Sequence, residues 1–220
     1  MSIKAVAFDV DGTLYPNATM YMKSLPFALR NWRSIRAYAR VRKAVREMRP
    51  IEDLKGLERR ALADELGIDV EEAGVFIDHS IHEVWEQVID RVKPFHGVRE
   101  CCESLLAAGI RLGVSSDFPV SNKLSRLGLA DLFECALWSE DSGYLKPHPE
   151  PFRSLAACLE ADPSEMVFVG NSYEYDVEGA KAVGMQAVHL SRSAPRGTVA
   201  DFTTRDFLAL RDWILSQNQP

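Results

Sequence analysis

A short apolar run that breaks off into two carboxylates constrains this chain more than any other stretch. Residues 4–8 read Lys-Ala-Val-Ala-Phe, and Asp9-Val10-Asp11-Gly12-Thr13 follows without interruption. An apolar run with no polar alternation suits a strand covered on both faces, the environment of a parallel sheet. The carboxylates then fall just past the C-terminal end of that strand, where open α/β sheets gather their ligands. Gly12 allows the sharp turn that aims backbone N–H groups at an anion. Carboxylates two residues apart can divide work, one as nucleophile or metal ligand and one as proton carrier. By itself the pentapeptide also reads as a strand ending in an ordinary Asp-Gly turn. A calcium loop is disfavoured, because it would make Ala7 the first ligand and Ala18 the bidentate one. The stretch therefore needs partners further along the chain.

After Thr13 the period changes from that of a strand to that of helices. Leu25, Leu29, Trp32, Ile35, Tyr38, Val41, Val45 and Met48 recur at spacings of three and four, which predicts one helix over 25–48 with these residues on its buried face. Pro50 ends it, and 51–66 reads as a second helix stopped by Gly67. Asp69 is an N-cap for a third, over 69–92, carrying Val75, Ile77, Ile81, Val84, Trp85 and Val88. Pro94 and Gly97 close this helical section. From Gly97 onward strand and helix alternate, the mark of a parallel sheet. Strands are expected at 110–115, 134–138, 166–169 and 186–190, and helices at 98–108, 120–127, 150–159, 175–183 and 206–215. The economical division is a Rossmann-like α/β core of residues 1–14 and 95–220, with an all-helical cap, 15–94, inserted after the first strand.

At 220 residues and 46% hydrophobic, the chain can bury one substantial core and a smaller appendage. No apolar run approaches a membrane span and none near the start resembles a signal peptide, so neither membrane insertion nor export is expected. Cys101, Cys102, Cys135 and Cys158 lack metal-binding spacing and read as reduced, mostly buried thiols, which points to the cytoplasm. Charge is uneven. Residues 23–49 hold nine basic side chains and one acidic, +8 in a chain of net −6, which leaves −14 for the remainder. A solvated helix face explains this basic segment, and so does an anionic partner for Arg33, Arg36, Arg40 and Lys43, either substrate or acidic lipid at a membrane surface. Nucleic acid is not expected, since the acidic remainder would repel it.

Three later stretches sit at strand ends. Residues 112–117, Leu-Gly-Val-Ser-Ser-Asp, end a buried strand in hydroxyls, which can donate to a phosphate oxygen or merely cap the next turn. Residues 143–147, Gly-Tyr-Leu-Lys-Pro, place Lys146 before a turn; loop lysines are usually solvated, yet an ammonium is the point charge that anion sites employ. Residues 167–171, Val-Phe-Val-Gly-Asn, lead to Ser172 and on to Asp176, a set of oxygen donors of the kind Mg2+ prefers.

Together, in order along the whole chain, these stretches resemble the haloacid dehalogenase-like superfamily, in its phosphatase branch with a helical cap after the first motif. Residues 9–13 look like the first motif, Ser116 like the second, Lys146 like the third, and 170–184 like the fourth. The resemblance implies a Mg2+-dependent phosphatase acting on a small phosphorylated metabolite. It makes Asp9 the nucleophile that forms an aspartyl-phosphate, and Asp11 the acid that protonates the leaving oxygen and then activates water. Gly12, Thr13, Ser116, Asp117 and Lys146 would hold the transferred group; Asp9, the Asp11 main-chain oxygen, Asn171 and Asp176 would hold Mg2+. Asp11 argues against a dehalogenase, whose reaction has no leaving alcohol to protonate. Two departures stand out: Asp117 occupies a usual Asn position, and Asn171 a usual Asp position, with Glu174 a nearby helper acid. Asn171 keeps open a phosphatase-fold binding or scaffolding protein without turnover, and a phosphomutase is a further alternative.

Overall fold

The computed structural model describes residues 2–82, 89–90 and 92–218. Six parallel strands form one sheet: β1 (Ala5–Phe8), β2 (Arg111–Ser116), β3 (Cys135–Trp138), β4 (Met166–Gly170), β5 (Gln186–Leu190) and β6 (Phe202–Thr204). Their order across the sheet is β3-β2-β1-β4-β5-β6. β1 therefore lies centrally, with Phe8 level with Val114 on one side and Val169 on the other. The chain runs outward from β1 in one direction and returns to run outward in the other. β1 and β4 flank that reversal, which is where ligands enter such sheets.

Both faces of β1 are covered, as its unbroken apolar run requires. Val6 and Phe8 point into a cluster with Leu112, Val114, Val167 and Val169, closed by Leu105 of α5 (Val98–Ala107) and by Phe207 and Leu210 of α9 (Phe207–Ser216). Ala5 and Ala7 point the other way, towards Phe152 and Leu155 of α7 (Pro149–Cys158) and Ala180 of α8 (Gly179–Ala182). Small alanines on that side let α7 and α8 approach the strand closely. α6 (Ser121–Arg126) follows β2. β6, which sequence periodicity does not announce, is a three-residue edge strand whose residues are only partly buried.

Between β1 and α5 come α1 (Asn17–Arg30), α2 (Trp32–Val45), α3 (Leu54–Leu66) and α4 (Val70–Val75), the last continuing as a π-helical stretch, Phe76–His82. Tyr38, Val41 and Val45 of α2, Leu54, Leu62 and Ala63 of α3, Ala73 of α4 and Ile77 form one cluster, whereas Met20 of α1 belongs to the sheet's cluster. The helix expected over 25–48 is two helices parted at Asn31, and the first begins earlier, at Asn17, and accommodates Pro26. The predicted buried face holds only for its second half. Tyr38, Val41 and Val45 are buried, whereas Leu25, Leu29, Trp32 and Met48 are exposed. The third helix begins as expected after Asp69 but passes from α-helix to the π-helical stretch at Phe76, Val75 is exposed, and Val84, Trp85 and Val88 lie outside the described residues.

The cysteine expectation requires correction. Cys135 and Cys158 form a disulfide, because β3 and α7 bring their Cα atoms to 6.2 Å, within bridging range. Cys101 and Cys102 are free and buried, as expected. No helix among the described residues is long and apolar enough to cross a membrane.

Candidate active site

Asp9 leaves the end of β1 with its main-chain N–H bonded to the Val169 carbonyl, 2.9 Å, so the strand pairing itself fixes the start of the loop. Gly12 then turns the chain at φ +88°, and a Cβ there would meet the Asn17 and Asn171 amides at 2.4–2.9 Å. The turn thus needs glycine for both conformation and space. Thr13, wholly buried, folds back so that its one hydroxyl proton is shared between Asp9 Oδ2 at 2.9 Å and Asn171 Oδ1 at 3.1 Å. The loop after β1 and the end of β4 are joined through that hydroxyl.

Lys146 is the centre of charge. It is 2% exposed, and its Nζ donates to Asp9 Oδ1 at 2.8 Å, Asp176 Oδ1 at 2.6 Å and the Ser115 carbonyl at 3.3 Å. Burial works against its charge, but Asp176, Asp9 and Asp117 outweigh burial and hold its pKa above the usual lysine value. Burial dominates at Asp9 instead. It lifts that carboxyl to about 7, Asp176 and Asp11 add to the rise, and Lys146 opposes it. Asp176 reaches Lys146 because Gly170 has no side chain: a Cβ there would lie 2.3–2.4 Å from the Asp176 side chain. The Ser172 N–H, donating at 2.9 Å, holds the other Asp176 oxygen.

Asp11 also lines the cleft but faces a different set of partners. Lys123 Nζ donates to both its oxygens at 2.8 and 2.7 Å, Ser116 Oγ donates at 2.7 Å, and the Tyr15 hydroxyl donates as well. Ser116 additionally accepts from the Phe118 N–H at 3.1 Å, so its hydroxyl is engaged beside Asp11 rather than on the cleft wall. Asp117 accepts from Arg46 at 2.5 Å and from the Lys146 N–H at 3.3 Å. Burial alone would raise the Asp117 carboxyl, but Lys146, Arg46 and Arg42 overcome this and hold it below the usual range.

The cleft between these groups has a volume of about 300 Å³ and is lined by Asp9, Asp11, Asp117, Lys146, Asn171 and Asp176 together with Asn17 and Tyr21 of α1 and Arg46 just past α2. Arg46 stacks its guanidinium 4.3 Å from the centre of the Tyr175 ring and donates to the Lys146 carbonyl at 2.8 Å. Glu174 is exposed and is not among the lining residues.

Oxygen donors for a hard cation are present here. Asp9, Asp176, Asn171 and the Asp11 carbonyl come together, and Asn17 donates to that carbonyl at 3.3 Å while its own buried Oδ1 finds no partner among the described residues. No three His, Cys, Asp or Glu side chains among the described residues make a ready cage. The set is therefore two carboxylates supplemented by amide and main-chain oxygens, which fits Mg2+, a cation that keeps several waters and takes one or two carboxylates.

Sequence reasoning did not find Lys123, Tyr15, Asn17, Arg42 or Arg46. For two of them a signal existed. Lys123 falls on the helical stripe with Val120, Leu124 and Leu127, and Arg42 falls on the one with Tyr38 and Val45; a charge on an apolar stripe is either paired or expensive.

The haloacid dehalogenase-like hydrolase model matches residues 3–184. Similar curated proteins include a glyceraldehyde 3-phosphate phosphatase of Methanopyrus kandleri, 29% identical over 86% of this chain and 84% of that one. A phosphoglycolate phosphatase of Salmonella typhi is 28% identical over 94% and 88%. Among solved structures, a 2-haloacid dehalogenase from Pseudomonas syringae superposes with a TM-score of 0.70 at 30% identity, over 98% of this chain and 99% of that one. A phosphatase of the same fold from Thermococcus onnurineus gives 0.67 at 26%, over 96% and 98%.

Proposed function

Because the chain belongs to the haloacid dehalogenase-like hydrolase family and is a phosphoric monoester hydrolase, we propose that it hydrolyses a small phosphorylated metabolite through an aspartyl-phosphate on Asp9. The observation that carries this reading is the buried Lys146 joining Asp9 and Asp176 at the reversal point of the sheet. Phosphoryl transfer asks mainly for positioning and for neutralisation of negative charge. A lysine fixed at 2.8 Å from the attacking carboxylate supplies both.

An Asp9 oxygen forms the bond to phosphorus while the ester P–O bond breaks, and Asp11, which takes up a solvent proton to serve as the acid, passes it to the departing oxygen. Water then attacks the acyl phosphate, Asp11 takes the water proton, and inorganic phosphate leaves with Asp9 restored. Thr13 keeps Asp9 oriented through the 2.9 Å bond to the oxygen Lys146 does not hold. Ser116 and Asp117 act by placing Asp11 and the Lys146 backbone. Asp9, the Asp11 carbonyl, Asn171 and Asp176 would hold Mg2+, which when bound offsets charge on the phosphoryl oxygens. Residues 15–94 serve as the cap, which Arg46 on the cleft wall supports. The relatives include a dehalogenase as well as phosphatases, and Asp11 favours the latter, since halide departure needs no proton.

The test is release of an aryl alcohol from its phosphate ester across a Mg2+ series. Asp9→Asn should lose at least about a thousandfold in turnover, because an amide is a poor nucleophile. Asn171→Asp should lower the half-saturating Mg2+ concentration and Asp176→Asn should raise it. Substantial activity in Asp9→Asn defeats the mechanism, and an unchanged Mg2+ requirement in Asn171→Asp removes residue 171 from the cation's ligands.

A further inference from the structure

Helix α1 holds a row of large apolar side chains in solvent. Met22, Leu25, Leu29 and Trp32, the last just past α1 at the start of α2, are 71, 52, 68 and 57% exposed. At helical spacing the three on α1 fall within one arc of about 60°. Met20, the buried residue of α1, points elsewhere on the helix. Scattered exposed leucines need no explanation, but an ordered row of large ones does.

The charge around the row is equally one-sided. Lys23, Arg30, Arg33 and Arg36 are all exposed, and among the described residues none of them has an ion-pair partner. The other arginines of the segment are committed: Arg40 to Glu65, Arg42 to Glu58 and Glu140, Arg46 to Asp117, Arg49 to Glu150. No Asp or Glu occurs from residue 12 to residue 46.

We propose that this face, α1 with the first turns of α2, docks on the surface of an anionic lipid bilayer. Apolar side chains flanked by Lys and Arg are what an interfacial helix requires, with the apolar row entering the acyl boundary and the cations meeting acidic headgroups. At 14 residues α1 is too short to span, so it lies on the surface. The acidic remainder of the chain is repelled by the same headgroups, which fixes the orientation. A symmetric dimer through this face would set the four cations against their own copies, and a nucleic acid offers nothing to the apolar row. The helix begins at the cleft, where Asn17 and Tyr21 line the wall, so the docked face adjoins the cleft's rim.

The experiment is co-sedimentation of the full chain with phosphatidylcholine vesicles and with vesicles that also contain phosphatidylserine, at low and high salt, alongside light scattering for mass. The wild type should pellet with the acidic vesicles only, release at high salt, and shift its tryptophan emission to the blue, a shift that Trp32→Phe removes. Leu25→Glu with Leu29→Glu, and separately Lys23→Glu with Arg30→Glu, should each cut partitioning by at least about tenfold. Aryl phosphate hydrolysis should persist in the leucine pair, which reports that the variant is folded. Failure of the wild type to bind acidic vesicles overturns the proposal. So does undiminished binding by either double variant, or a dimer that the leucine pair breaks.

Discussion

Each functional side chain near the cleft is defined by the group that holds it. Asp9 is poised between burial, which discourages its charge, and Lys146, which favours it; burial prevails and the carboxyl sits at about 7. Only the ionised form attacks phosphorus, so at low Mg2+ turnover should climb as the pH rises through about 7. A cation bound to the same carboxylate favours the charged form and should slide this limb to lower pH. Profiles of kcat/KM against pH at two Mg2+ concentrations check this; a limb that stays in place counts against Asp9 as a ligand. Asp11 depends likewise on Lys123, which is 1% exposed and bonded to both carboxylate oxygens. Lys123→Met removes a buried charge and leaves its partner behind, which should cost about 3–5 kcal/mol of stability in urea unfolding. Smaller loss would mean that Tyr15 and Ser116 suffice to hold Asp11.

Among the elements, α2 does more than shield the site. Arg42 on its buried face donates to Glu140 at 2.6 Å, to the Asp117 carbonyl at 2.6 Å and to Glu58 at 3.3 Å, so one guanidinium joins two helices to the loops after β2 and β3. Burial raises the carboxyls of both Glu58 and Glu140, the latter to about 7. For Glu140 the folded value lies above its ordinary 4.5, so its contribution to stability is full below 4.5 and is lost as the pH rises through about 7. Arg42→Met takes away the charge that tolerates the ionised pair. It should cost about 3–5 kcal/mol near neutral pH, and less under acid conditions where the carboxyls are protonated. Urea unfolding of both proteins on either side of that range tests the sign; a pH-independent loss would assign Arg42 a packing role.

On the scale of the molecule, the sheet supplies rigidity and the disulfide adds a clamp at its edge. Cys135 on β3 and Cys158 at the end of α7 close a loop of 23 residues. Closing a loop of that size restricts the unfolded chain, and reduction should lower stability by about 3 kcal/mol, measured as urea unfolding with and without a thiol reductant; Cys135→Ser should match the reduced protein. Strands β1 to β5 and the helical segment after β1 were legible in the sequence, because two-sided burial and helical period are local patterns that residue type reports directly. Local pattern could not say which face of the 25–48 segment would find a partner, and Leu25, Leu29 and Trp32 match the period of Tyr38 and Val41 yet remain in solvent. Nor could it pair Cys135 with Cys158, Lys123 with Asp11 or Arg42 with Glu140, which lie 23, 112 and 98 residues apart. Such pairs exist only once strands and helices have been brought side by side, for contact between side chains depends on where the folded backbone carries them, whereas strand and helix depend on what each few residues prefer.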